Sequence, residues 1–77
     1  MKLYCSIGET HLKETDCIGI SASSETLRAV AKFLLASAKE LEEMGDDFSH
    51  LHLMDEWKDW SNGYPDIQIF NENTGLK

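Results

Sequence analysis

Apolar and polar residues alternate at two places near the start of the chain. Leu3, Cys5 and Ile7 occupy every second position of the first segment, and residues 17–22 alternate again. A period of two places successive side chains on opposite faces of a β-strand. The two segments are therefore predicted to pair as an antiparallel hairpin.

The period then changes to that of a helix. Apolar residues recur three and four positions apart, as on one helical face, at Leu27, Val30, Ala31, Leu34, Leu35, Ala38 and Leu41. Ser23 or Ser24 suits the N-cap position, and Gly45 suits the residue that follows the last helical turn. The sequence predicts one amphipathic helix over residues 24–44, roughly 30 Å long.

The period of two returns after the helix. In residues 50–54 leucines alternate with His50 and His52, so both histidines share one face. Residues 66–70 alternate again, after a polar connection with turn residues. The predicted fold class is α+β, with the order ββαββ. A four-stranded sheet would carry the long amphipathic helix on one face, and the other face would be open.

The chain is predicted to form a single domain over residues 1–77, in which residues 71–77 are a frayed tail. The inward positions of the predicted strands supply the expected core, which is completed by the apolar face of the helix. These positions are Leu3, Cys5, Ile7, Ile18, Ile20, Leu51, Leu53, Ile67 and Ile69.

The formal net charge of −7 limits the classes of partner. Nucleic acids and anionic membranes bind cationic surfaces, so neither is an expected partner. The first residues lack the apolar core of a signal peptide and no apolar run is long enough for a membrane span, which predicts a cytoplasmic protein.

Acidic residues are concentrated around the predicted end of the helix. Eight of the fourteen lie between Glu40 and Asp59. A carboxylate near the negative end of a helix dipole is unfavourable by roughly 0.3–1 kcal/mol. The cluster therefore favours contact with a cationic surface of a partner, while a rim kept for solubility is the alternative. The candidate contacts are Glu42, Glu43, Asp46, Asp47 and Asp55.

Two tryptophans and two histidines extend this candidate surface. Trp57 and Trp60 lie in the acidic loop, and aromatic side chains ringed by polar groups are typical of binding hot spots. One of the two is expected to be buried and the other partly exposed. His50 and His52 are predicted to flank the contact. The histidine pair alone lacks a defined third ligand, so no metal or cofactor is predicted.

The sequence favours binding over catalysis. Cys5 or Cys17 together with a histidine could in principle form a nucleophilic Cys/His pair. No motif places either thiol beside an oxyanion hole, so a nucleophilic role is not predicted. No glycine-rich phosphate loop is present in the sequence. The protein is therefore predicted not to be an enzyme.

Three strings resemble the small immunity proteins of bacterial polymorphic toxin systems. They are SETLRAVAKFLL at residues 24–35, HLHL at 50–53 and PDIQI at 65–69. The resemblance covers roughly residues 18 to 70. It implies a short cytosolic protein that binds the catalytic domain of a cognate toxin and blocks it. The negative net charge of this chain separately predicts that the toxin is basic.

Two other interpretations remain open. The open sheet face with His50 and His52 would also suit a small metal-binding protein. It would equally suit a self-associating protein that buries this face in a homodimer, and a homodimer is compatible with immunity function.

Overall fold

The computed structural model describes residues 1–8 and 11–73. The long helix α1 spans Ser24–Met44 and is followed by a 3-10 turn, Gly45–Asp47. A second, short helix, α2, spans Leu53–Glu56. The four strands are β1 Leu3–Cys5, β2 Lys13–Thr15, β3 His50–His52 and β4 Gln68–Phe70. The predicted α+β class and the single long helix are confirmed.

Helix α1 begins and ends where the sequence predicts. The Ser23 hydroxyl accepts a hydrogen bond from the backbone N–H of Thr26 at 3.1 Å, which satisfies one of the free N–H groups of the first turn. Gly45 has a φ of +56° and its N–H donates to the carbonyl of Leu41, so the chain leaves the helix through a left-handed residue. Among the described residues, no helix is long and apolar enough to cross a membrane.

The strands pair as two separate two-stranded antiparallel sheets, β1 with β2 and β3 with β4, instead of one four-stranded sheet. The second strand is Lys13–Thr15, so its predicted position at residues 17–22 is wrong. Pairing with β1 at residues 13–15 needs a shorter loop, which costs less closure entropy. Gly19 would also weaken a strand over residues 17–22, because glycine loses more backbone freedom than other residues.

The core lies between α1 and the second half of the chain. Val30, Phe33 and Leu53 are its buried centre. The residues packed around this centre are Leu51, Trp57, Trp60, Ile67 and Ile69. All four core positions predicted in the second half of the chain, at 51, 53, 67 and 69, are therefore confirmed.

The core positions predicted in the first half are mostly wrong. Ile7, Ile18 and Ile20 are exposed, as is Cys5, while Leu3 is half-buried. No described residue before Val30 is buried. The alternating pattern is real, but β1 and β2 pair only with each other, and two strands alone bury little apolar surface.

The helical face that meets the core is narrower than the apolar pattern suggests. Val30, Phe33 and Ser37 are its buried residues, and Leu27, Leu34 and Leu35 are exposed. Ser37 is tolerated in the interior because its hydroxyl donates to the carbonyl of Phe33 at 2.7 Å.

Candidate protein-binding surface

Four carboxylates surround the point where α1 ends. Glu42 and Glu43 lie in its last turns, and Asp46 and Asp47 lie in the 3-10 turn that follows. All four are exposed, and the last turn of α1 contains no basic residue. The ion pairs within the described residues are Lys2–Glu14 and His52–Asp66, so none of the four has a basic partner there. We call this group the acidic end.

Asn71 holds the acidic end in place. Its side chain is 1% exposed and its Nδ2 donates to the carbonyls of Gly45 and Phe48, at 3.1 and 3.2 Å. Its backbone N–H donates to the carbonyl of Ser49 at 3.4 Å. The residue that follows β4 is thus attached to the turn that carries Asp46. The assignment of residue 71 to a frayed tail is therefore wrong, and residues 74–77 lie outside the described residues.

A sequence signal for Asn71 existed. Ile67 and Ile69 face the core, and residue 71 is the next position of the same period of two. An asparagine on an inward position needs hydrogen-bond partners, and the carbonyls near the end of a helix are free to accept. The strand pattern alone does not identify Asn71, because it predicts that the last strand ends at residue 70, where β4 does end.

The two histidines lie on the sheet face opposite the core, as predicted. Leu51 pairs with Ile69, and both pack against the core, whereas His50 is paired with Phe70. The His50 and Phe70 rings are 5.9 Å apart, and the two histidine rings meet edge-on at 5.0 Å. His50 is exposed and lies between the acidic end and α2 along β3.

His52 is held by a neighbouring carboxylate. Its Nδ1 lies 2.7 Å from Oδ2 of Asp66, while Oδ1 of Asp66 accepts the backbone N–H of Met54 at 3.0 Å. Asp66 thus fixes both the ring and the start of α2. Within the part of the chain that the structure describes, no three His, Cys, Asp or Glu residues are grouped as metal ligands.

Asp66→Asn is expected to lower the free energy of unfolding by about 1–2 kcal/mol, because charged acceptors make the stronger hydrogen bonds. Urea denaturation followed by circular dichroism measures this difference. Asp59→Asn, at an exposed position, is the matched control and should change stability by less than about 0.5 kcal/mol. Equal stability of the two variants would show that Asp66 does not support the β3–α2 junction.

Trp57 and Trp60 are both half-buried, so the predicted partial exposure of one ring is confirmed and the predicted full burial of the other is wrong. Both pack against the core. The Trp57 ring also stacks on Tyr64 at 5.7 Å, and Nε1 of Trp60 donates to the carbonyl of Pro65 at 3.2 Å. Much of each ring is therefore engaged within the fold. Asp55, on α2, is exposed.

The predicted contact residues fall into two groups. The tryptophans pack beside Leu53, which contacts Phe33 in the middle of α1. Phe33 precedes the end of α1 by eleven residues, or about 17 Å at 1.5 Å per residue. The structure therefore places the tryptophans and Asp55 at one end of β3 and the acidic end at the other.

Comparison with known proteins identifies the family. The model of the family described as Immunity protein 32 matches residues 18–71. No curated protein and no solved structure matches the chain significantly. The matched range contains α1, β3, α2 and β4, with the acidic end and Asn71, and it leaves out β1 and β2.

Proposed function

We propose, since the chain belongs to the Immunity protein 32 family, that it binds a cognate bacterial toxin and inhibits it through the acidic end. The immunity proteins that this sequence resembles act by binding the catalytic domain of a toxin. The family thus suggests the class of partner, and the acidic end is the candidate contact.

One observation carries this proposal, namely four exposed carboxylates at the negative end of a helix, none of them paired with a basic side chain among residues 1–8 and 11–73. Glu42 and Glu43 lie in the last turn of α1, where each carboxylate is unfavourable by roughly 0.3–1 kcal/mol, and Asp46 and Asp47 add further negative charge beside them. Basic side chains of a partner would remove this repulsion and gain charge-assisted hydrogen bonds. A structure that only had to fold would place lysine or arginine in the last turn.

The support beneath the acidic end favours the same function. Asn71 connects the 3-10 turn to the end of β4, so the carboxylates are positioned before a partner arrives. Preformed contacts reduce the entropy lost on association. A shallow depression lined by Leu41, Gly45 and Phe70 borders the turn and offers apolar surface to the stem of an arginine or lysine.

The other predicted contact residues are expected to contribute to toxin binding to different extents. His50 lies next to the acidic end along β3 and extends the contact, with His52 at its margin. Asp55, Trp57 and Trp60 form a second patch at the far end of β3. We expect this patch to contribute less, because both rings already pack against the core.

The proposed partner is a basic toxin domain, and the encounter takes place in the cytoplasm. Opposite charges accelerate the encounter of two proteins, which suits an inhibitor that must act before the toxin does. Inhibition is proposed to be stoichiometric, with no reaction performed on the toxin. Neither nucleic acid nor a membrane surface is expected to bind.

The test uses the toxin encoded beside the gene, purified and titrated with this protein in a calorimeter. We expect saturation at one equivalent, with loss of toxin activity in the same proportion and an unchanged toxin mass. Absence of a complex at micromolar concentrations would overturn the proposal. Inhibition by far less than one equivalent, with a chemically altered toxin, would show an enzyme instead.

A further inference from the structure

Helix α1 carries a second apolar face that the described residues cover only in part. Leu27, Leu34 and Leu35 are 43%, 45% and 74% exposed. Two exposed alanines lie on the same side of the helix: Ala31 is between Leu27 and Leu34, and Ala38 follows Leu35. We call these five residues the apolar stripe. Val30 and Phe33, which contact the core, lie on the adjacent side.

The spacing of the apolar stripe is that of a helix–helix contact. Positions 27, 31, 34 and 38 follow one another by four, three and four residues, which is the spacing of a coiled-coil seam. The seam is about 17 Å long at 1.5 Å per residue. We propose that a second copy of this chain covers it, with the two α1 helices antiparallel across a two-fold axis.

The seam is complementary to itself in size. In an antiparallel pair centred between positions 31 and 34, Leu27 of one copy meets Ala38 of the other, and Leu34 meets Ala31. Each large side chain therefore faces a small one at all four contacts. This alternation lets the helix axes approach to the lower part of the usual 8–10 Å range.

The flanking side chains are complementary in charge. Arg28 and Glu42 follow the seam on its solvent side, seven residues to either side of Leu35. In that register Arg28 of one copy and Glu42 of the other are offset by five residues, about 7.5 Å along the axes. Helical side chains lean toward their N-terminus, which reduces this offset, so the two long side chains can meet and the two Leu35 side chains flank the two-fold axis. The pair is formed twice in a symmetric dimer, because a two-fold interface repeats each contact.

The distribution of charge favours a second copy over the toxin as the occupant. Residues 1–39 contain five basic and four acidic side chains, whereas residues 40–77 contain two basic and ten acidic ones. The half with the apolar stripe is thus nearly neutral, so two copies meet there with little repulsion. A basic toxin is attracted to the other half.

The size of the contact predicts a weak dimer. About three helical turns bury less than the ~800 Å² per partner of a standard interface. We therefore expect a dissociation constant on the order of 10 μM. In each copy Glu42 takes part in the contact, while Glu43, Asp46 and Asp47 of the acidic end stay accessible. This inference does not depend on the proposed inhibition of a toxin.

Sedimentation equilibrium of the full chain, without toxin, tests the proposal. The wild-type protein should change from monomer to dimer as its concentration rises. Leu34→Glu should weaken the dimer by at least about 100-fold, because it buries an uncompensated charge in the seam. Ala36→Glu is the matched control on the same helix, at an exposed position outside the apolar stripe, and should dimerise as the wild type does.

A charge exchange tests the antiparallel register with substitutions at exposed positions only. Arg28→Glu should weaken the dimer about 10-fold, since it places two glutamates together twice. Adding Glu42→Arg should restore the wild-type dissociation constant. Failure of the second substitution to restore it overturns the proposed register.

The remaining outcomes overturn the proposal as a whole. They include a wild-type chain that stays monomeric up to about 1 mM and a dimer that Leu34→Glu leaves unchanged. If the wild type is monomeric and Leu34→Glu abolishes toxin binding instead, the apolar stripe belongs to the toxin interface.

Discussion

Asn71→Asp is expected to lower the free energy of unfolding by about 3 kcal/mol or more, the largest effect of any conservative substitution in this chain. The Asn71 amide donates to the carbonyls of Gly45 and Phe48 in the interior. Aspartate has nearly the same shape but places a charge that accepts hydrogen bonds against two acceptors. Chemical denaturation of the purified variants measures the loss.

Asn73→Asp provides the control, because it makes the same substitution two residues later at an exposed position. It should change the free energy of unfolding by less than about 0.5 kcal/mol. Should the aspartate at position 71 prevent folding altogether, Asn71→Ser gives a milder loss to compare. An Asn71→Asp protein as stable as the wild type would show that residue 71 does not hold the turn.

Asp46→Lys together with Asp47→Lys is expected to slow association with the toxin by at least ~10-fold at low salt. The change replaces two carboxylates of the acidic end with two basic groups facing a basic surface. Stopped-flow fluorescence gives the association rate. The difference from the wild type should shrink when the ionic strength rises from about 0.01 M to about 1 M, as the Debye length falls from ~30 to ~3 Å.

A second double charge reversal, at positions outside the acidic end, distinguishes an effect of the acidic end from an effect of total charge. Glu56→Lys with Asp59→Lys changes the total charge equally but lies near the tryptophans, at exposed positions. We expect it to slow association much less than the reversal at positions 46 and 47. Equal slowing by both pairs would mean that only net charge matters, and the acidic end would lose its assigned role.

The sequence was sufficient for the elements whose signals are local. Helix α1 has a capping serine, a continuous three-and-four spacing and a terminating glycine, and it spans the predicted residues 24–44. The inward positions Leu51 and Ile69 follow from alternation alone and are paired across β3 and β4. Local chemistry decides these features, so reading the pattern is enough.

The sequence was not sufficient where several segments compete for one partner. The alternation at residues 17–22 suits a strand, but β1 pairs with Lys13–Thr15 instead. This register places Cys5 opposite Lys13, and both cysteines are exposed and form no disulfide. Which of two nearby segments pairs with a strand depends on loop closure and packing, and neither is visible as a period.

The same limit applies to the candidate surface. The acidic end was recognisable because its charges conflict with the dipole of α1. Its separation from Trp57 and Trp60 was not recognisable, since both groups lie within twenty residues of sequence. The distance arises because β3 carries the chain back along α1. Asn71, which positions the acidic end, makes its contacts with residues more than twenty positions away.

We propose that the toxin binds at the acidic end. Hydrogen–deuterium exchange of this protein, alone and with one equivalent of toxin, tests it most directly. We predict that binding protects backbone amides in residues 42–50 most strongly and residues 53–60 less. Protection confined to the β1–β2 hairpin or to the apolar stripe, with residues 42–50 exchanging as in the free protein, would contradict the account.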